Sequence, residues 1–338
     1  MSTNQQTIIE AIDAFVTSQH DVQQKTRDNH RYRLNAFRDH CEERGIETVD
    51  EIEGYHIEQY KTARREEDDW ALATLKNHCW TINKWLSWCE SVGFAGDGAS
   101  EAVIVPDVSS EEEARDTFMV HERAREIIDY LASYQFASLA HIVFHTLYHT
   151  GMRRSGIIAL DVEDWNSESQ SLSLRHRPAK GTRLKNGDAA ERDIAVTDGE
   201  LASALDSWVA ERRPDALDDA GRKPLLTSGK GRLHGQTVTK ICYRITRPCW
   251  RGQPCPHDKD PKTCEYTNAD RHSSCPSTVS AHPVRRSAIT NHLREDVSKE
   301  IVSERMSVSQ EVLDTHYDER TLEQKREARA SRLSNKDI

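Results

Sequence analysis

Three short segments of this chain carry side chains able to act together on a phosphate ester. Ser280-Ala281-His282-Pro283-Val284-Arg285-Arg286-Ser287 places an imidazole three residues before a guanidinium, and Thr315-His316-Tyr317-Asp318 follows nearer the C-terminus. Far upstream, Thr150-Gly151-Met152-Arg153-Arg154-Ser155 sets a second arginine beside a glycine where a helix can break. Each residue type has a distinct use. An arginine fork pairs bidentately with phosphate and stays charged. An imidazole serves as base or ligand near neutral pH. A phenol, with an ordinary pKa of about 10, becomes a nucleophile when neighbouring cations or a base help it ionise. Cleavage of a phosphodiester without a metal needs a nucleophile, cationic donors on the non-bridging oxygens and an acid for the leaving alkoxide.

In order and spacing these segments resemble the catalytic set of the tyrosine recombinases, the phage-integrase and Xer-like enzymes that cut and rejoin DNA. The resemblance spans nearly the whole chain. Its motif places the first catalytic arginine directly after Thr-Gly-aliphatic, so that role falls on Arg153 rather than Arg154, and its H-x-x-R match gives His282 and Arg285. Tyr317 would then attack the phosphorus, leaving a covalent phosphotyrosyl enzyme that religates without ATP. The family's general acid is a lysine on the turn of a β-hairpin. Here that is Lys185, in Gly181-Thr182-Arg183-Leu184-Lys185-Asn186-Gly187, with Lys180 as the alternative. Two positions depart from the pattern. Gly156 stands where an acidic residue is usual, and Met306-Ser307-Val308 replaces the frequent Leu-Gly-His, leaving His316 and His292 as candidate substitutes. The resemblance further implies a two-domain clamp on double-stranded DNA and a homotetramer on paired DNA sites. It implies a tail, Leu322 to Leu333, that docks on a neighbouring subunit, and no cofactor for catalysis. The alternative is a catalytically inactive DNA-binding accessory protein of the same fold.

The elements that must position these residues are mostly helical. A chain of 338 residues is long enough for two domains of ordinary size. Residues 1–94 read as helices: Ile8, Ile9, Ile12, Phe15 and Val16, then Leu75, Cys79, Ile82, Trp85, Leu86 and Cys89, recur at helical spacing, with Gly93 as a C-terminal cap. This resembles the family's small helical core-binding domain. Residues 95–115, with Gly96, Gly98, Pro106 and an acidic run, read as a linker. Residues 116–338 form the catalytic domain. It has helices at His121 to Ala132, Ser138 to His149, Gly199 to Arg212, Gln236 to Ile245 and from Pro283 onward, and strands at Ser171 to Leu174 and Arg192 to Val196. Ser155 could cap the helix that follows Gly151. The expected fold is mainly α with a small β-sheet.

A formal charge of −10 is unusual for a partner of nucleic acid, since Lys and Arg supply phosphate contacts. A binding face is local, however, and Arg175, Arg177, Lys180, Arg183, Lys185 and Arg192 gather in one stretch. Acid runs elsewhere and a low share of lysine suggest a high-salt, halophilic cytoplasm. The first residues form no basic and apolar leader and no stretch approaches the roughly 20 apolar residues of a membrane span, so a cytoplasmic location and reduced thiols are expected. Four of the eight cysteines, Cys249, Cys255, Cys264 and Cys275, fall in a Pro- and Asp-rich loop over residues 249–275. They form a candidate structural zinc site, with His257 as an alternate ligand. Cys41, Cys79, Cys89 and Cys242 lie on apolar helical faces and read as core.

Overall fold

The computed structural model describes residues 6–108, 119–316 and 326. The chain divides into two compact units, Met1–Arg115 and Asp116–Ile338, each built on its own apolar core. The fold is mainly helical with one small antiparallel sheet. Among the described residues no helix is long and apolar enough to cross a membrane.

The first unit comprises α1 (Ile8–Ser18), α2 (Gln24–Glu42), α3 (Gly54–Glu66) and α4 (Leu72–Ser91). Thr7 and Glu10 form a reciprocal capping box that starts α1. The predicted seam of α4 is buried from Leu75 to Cys89, and Gly93, at φ 78, follows the helix end. Phe37, Tyr60 and Trp85 meet edge to face at its centre. Burial pushes the thiols of Cys41 and Cys89 up to about 12 and that of Cys79 to about 11, so these are inert packing residues. Val103 is buried, and Phe94, Ala95 and Val105 pack on the same core, which therefore draws on residues beyond 94.

The second unit is arranged around α6 (Leu139–Thr150), which is buried on almost every side from Ala140 to Tyr148. Against it pack α5 (His121–Tyr134), α8 (Gly199–Ser207), α9 (Gly235–Thr246) and α10 (Ala281–Arg294). A helix apolar all round belongs at the centre of a core. The short α7 (Arg154–Ala159) leads into strands β1 (Trp165–Asn166), β2 (Ser171–Leu174) and β3 (Arg192–Ala195), in the order β1-β2-β3. In register, Leu172 faces Trp165 on one side and Ile194 on the other, which buries the apolar alternate residues.

The helical pattern from Pro283 onward is not one helix. It is cut into α10, α11 (Lys299–Met306) and α12 (Gln310–His316). Asp296 and Ser307 take left-handed backbone at φ 57 and φ 51, and Ser298 accepts from Ile301 N to start α11 anew. Ser155 is not a cap: it lies inside the first turn of α7, and Arg153 occupies the cap position.

Candidate active site

The site begins where α6 stops. Gly151 ends the helix at φ 58, and a Cβ on it would meet Met306 Sδ at 2.5 Å, so both backbone and space demand glycine. Arg153 follows in extended conformation, φ −67 and ψ 153, and is held partly buried. Arg154 points elsewhere, donating to Thr239 Oγ1 at 2.7 Å and lying against Gly235 of α9.

Arg285 sits on α10, only 3% exposed. Its Nη1 donates to the carbonyls of Gly151 at 2.6 Å and Met306 at 2.7 Å, and Nη2 to that of Ser307 at 3.4 Å. Arg153 Nη1 reaches the hydroxyl of the same Ser307 at 3.4 Å. The two arginines, distant in sequence, thus meet at the corner between α11 and α12. His282 lies in the first turn of α10, open to solvent on one side. Partial burial of its ring, and then the charges of Arg285, Arg286, Lys185 and Arg153, hold its pKa below the ordinary value. Three other expected site residues, Arg153, Lys185 and Arg285, therefore all lie within electrostatic reach of His282. Lys185 is exposed on the long β2–β3 connection beside buried Leu184, whose N–H donates to His176 Nδ1 at 2.9 Å. Lys180 ends a separate turn, where its carbonyl accepts from Arg222 at 2.9 Å. Tyr317 lies outside the described residues, as does Leu322 to Leu333 apart from Arg326.

Two further arginines complete the corner without a prior signal beyond their basic character. Arg192 Nε donates to the Arg305 carbonyl at 2.7 Å, and Arg305 donates to the carbonyls of Ala195 at 2.9 Å and His149 at 3.2 Å. Burial, with the charges of Arg153 and Arg305, lowers the Arg192 pKa to about 10. Arg305 Nε is buried with no hydrogen-bond partner. Such a concentration of cations fastened by carbonyls suits an anion with several oxygens.

At the Leu-Gly-His position the structure places Val308 with its side chain buried, so no imidazole stands there. His292 donates from Nδ1 to the Ala288 carbonyl of its own helix at 2.8 Å.

The cysteine loop does not form the expected zinc cluster. Cys249, Cys255, Cys264 and Cys275 are free thiols, and among the described residues no group of three or more His, Cys, Asp or Glu side chains could hold a metal ion. Burial raises the Cys249 pKa, Arg247 opposes that, and the other three thiols add to it, so the four are neighbours without converging. The loop is tied by other means. Arg123 donates to the carbonyls of Thr246 at 2.7 Å and Ser277 at 2.5 Å, and the alternate ligand His257 pairs with Ser277 Oγ at 2.8 Å.

In the first unit, α2 and α4 border a groove of about 500 Å³ lined by Arg33, Lys76, Lys84, Asn29, Asn77 and Trp80 among others, with no carboxylate in the lining. Trp80 is 52% exposed, and Lys84 Nζ lies 5.5 Å from its ring centroid.

No protein-family model matches the sequence, and no curated protein matches it. Solved structures do. A variant of the Tn1549 transposon integrase in complex with a circular-intermediate DNA aligns with TM-score 0.69 and 14% identity, over 97% of this chain and 99% of that one. A lambda integrase dimer bound to a COC′ core site aligns with TM-score 0.65 and 13% identity, over 94% of this chain and 78% of that one. The N-terminal domain of a phage integrase/site-specific recombinase from Haloarcula marismortui is 30% identical over 30% of this chain and 98% of its own, with TM-score 0.29. With its helical first unit, its small sheet and the aligned length of both integrases, the chain has the fold of the tyrosine recombinases.

Proposed function

We propose that this chain is a site-specific DNA recombinase that cleaves and rejoins strands through a covalent phosphotyrosyl intermediate. The observation that carries the reading is the meeting of Arg153 and Arg285 at Ser307, with Lys185 and His282 in electrostatic reach. Arg153 and Arg285 hold the non-bridging oxygens of the scissile phosphate, where their charge offsets what develops in the transition state. His282, its pKa held down, is neutral near pH 7 and able to accept the phenolic proton or a phosphate hydrogen bond. Tyr317 Oη attacks phosphorus, the bond to the leaving oxygen breaks, and Lys185 protonates that oxygen; reversal by an incoming hydroxyl restores the diester.

Residues 1–94 serve as the core-binding domain, 95–115 as the linker and 116–338 as the catalytic domain. The basic groove of α2 and α4 offers a DNA contact in which lysine and arginine meet phosphates and Trp80 gives a flat apolar surface. The similar integrases are solved with DNA, which supports the same partner here. Paired sites and strand exchange call for a homotetramer in the cytoplasm.

Val308 in place of the usual histidine favours the second reading, an inactive DNA-binding accessory protein. A DNA suicide substrate carrying the cognate site separates the two. The recombinase forms a covalent adduct that Tyr317→Phe abolishes. Binding without an adduct in the wild-type chain leaves the accessory reading.

A further inference from the structure

The corner that joins the two arginines turns on a residue that is not glycine. Ser307 follows α11 at φ 51 and ψ 62, a conformation that side chains other than those of glycine and asparagine rarely adopt. The backbone bonds of the turn, Ser307 N to the Glu304 carbonyl at 3.3 Å and Val308 N to that of Ser303 at 3.1 Å, are equally open to glycine. What glycine lacks is the hydroxyl. Ser307 addresses Arg153 with Oγ and Arg285 with its carbonyl, each at 3.4 Å. Strained backbone retained at such a junction is a reason to look for a role in the side chain.

We propose that Ser307 is a positioning residue for Arg153. Its Oγ accepts an N–H from Nη1 and sets the plane of the guanidinium, so that Arg153 faces the same phosphate as Arg285. A hydroxyl that accepts this bond keeps its own O–H free to donate. The placement offers an answer to the absence of an imidazole at Val308: the polar group of this turn has moved one residue back, to the left-handed position. The inference rests on the recombinase reading.

Three variants test it. Ser307→Gly removes the hydroxyl and relaxes the backbone, Ser307→Ala removes only the hydroxyl, and Ser307→Asn restores an acceptor on a residue that tolerates left-handed backbone. Single-turnover cleavage at saturating DNA is expected to fall about tenfold in the Gly and Ala variants. DNA affinity should stay within about twofold, thermal unfolding of the Gly variant should be unchanged or later, and the Asn variant should recover most of the rate. A Gly variant that cleaves at the wild-type rate overturns the proposal. The Arg153 guanidinium resonance, followed by side-chain NMR without DNA, gives a readout independent of turnover. It should shift in the Gly variant and return in the Asn variant, and a resonance unmoved in the Gly variant equally overturns the role. Wild-type protein that makes no adduct, yet shows the NMR shift, counts against the recombinase reading and not against the positioning.

Discussion

Two groups of arginines stand in the second unit, and their partners differ in kind. Arg177, Arg222 and Arg232 close on carboxylates. Asp161, 2% exposed, takes Arg222 Nη1 at 3.0 Å and Arg232, while Asp164 takes both Nη atoms of Arg177 at 2.8 and 2.6 Å. Asp218 adds a second bond to Arg232 at 2.7 Å. At the α11–α12 corner the bonds of Arg192, Arg285 and Arg305 described above run to carbonyls, which fix a guanidinium without neutralising it. The protonation equilibria follow. The hydrogen bonds it donates to Asp164 raise the pKa of Arg177, whereas burial and the charges of Arg153 and Arg305 lower that of Arg192 to about 10. The arginines on Asp161 and Asp164 are matched by carboxylates, whereas those of the corner are fixed by carbonyls that leave their charge unmatched.

The contrast breaks most sharply at Asp161. Asp161→Ala removes the most buried carboxylate from Arg222 and Arg232 and leaves both on Asp218 alone, and removal of one member of a buried ion pair costs up to about 3–5 kcal/mol. Denaturant unfolding measures the loss, and the cleavage rate per folded molecule should be unchanged. If the rate fell with Asp161 while stability held, the division between the two groups would be wrong.

Arg153→Lys is the converse. A point charge replaces a planar fork, so the bidentate grip on phosphate is lost. Cleavage should drop by about 100-fold, within the range for removal of one transition-state donor, with unfolding little changed. Stability lost in step with activity would instead make Arg153 a structural arginine.

The sequence made the carriers of charge legible and left their fastenings hidden. Arg153, His282 and Arg285 could be named because motif and spacing survive in one dimension, and the α4 seam because period 3.6 marks a buried face. Ser307 and Arg305 could not, and Arg192 was legible only as one residue of a basic stretch, since their meaning lies in carbonyls brought from β3, α6 and α11. A bond to a carbonyl leaves no trace in residue type. The interruption of the last helix at Ser307 was hidden for a related reason: serine is an ordinary helical residue, and its left-handed backbone is held by turn bonds to Glu304 and Ser303 and by Arg285 on the Met306 and Ser307 carbonyls. The cysteines misled in the opposite direction. Thiols near one another in sequence suggested ligands, but the loop is drawn together by Arg123 and His257, and the thiols remain neighbours without a common centre.

The smallest expected effect separates histidines in the two settings. His141 is fully buried and held to about 4, chiefly by desolvation and then by His145, with which it shares a 3.3 Å contact that continues to Asp198. His149 is likewise lowered to about 4, by burial and then by Arg305. An unfolded chain protonates these rings near 6.5 and the folded one does not until about 4. Stability is therefore complete above pH 6.5 and declines as the pH falls through that window, by at most roughly 1.4 kcal/mol per pH unit for each ring. DNA should not alter the His141 value, because no phosphate reaches that fully buried ring. His282 should behave otherwise. Burial and the surrounding cations lower its pKa in the free protein, and a bound phosphodiester offsets those cations. NMR titration of the Tyr317→Phe chain, with and without DNA, should show the His282 pKa rising on binding while His141 stays in place. A His282 value indifferent to DNA would place the phosphate away from Arg153 and Arg285, and the carbonyl-held arginines would then be as structural as those on Asp161.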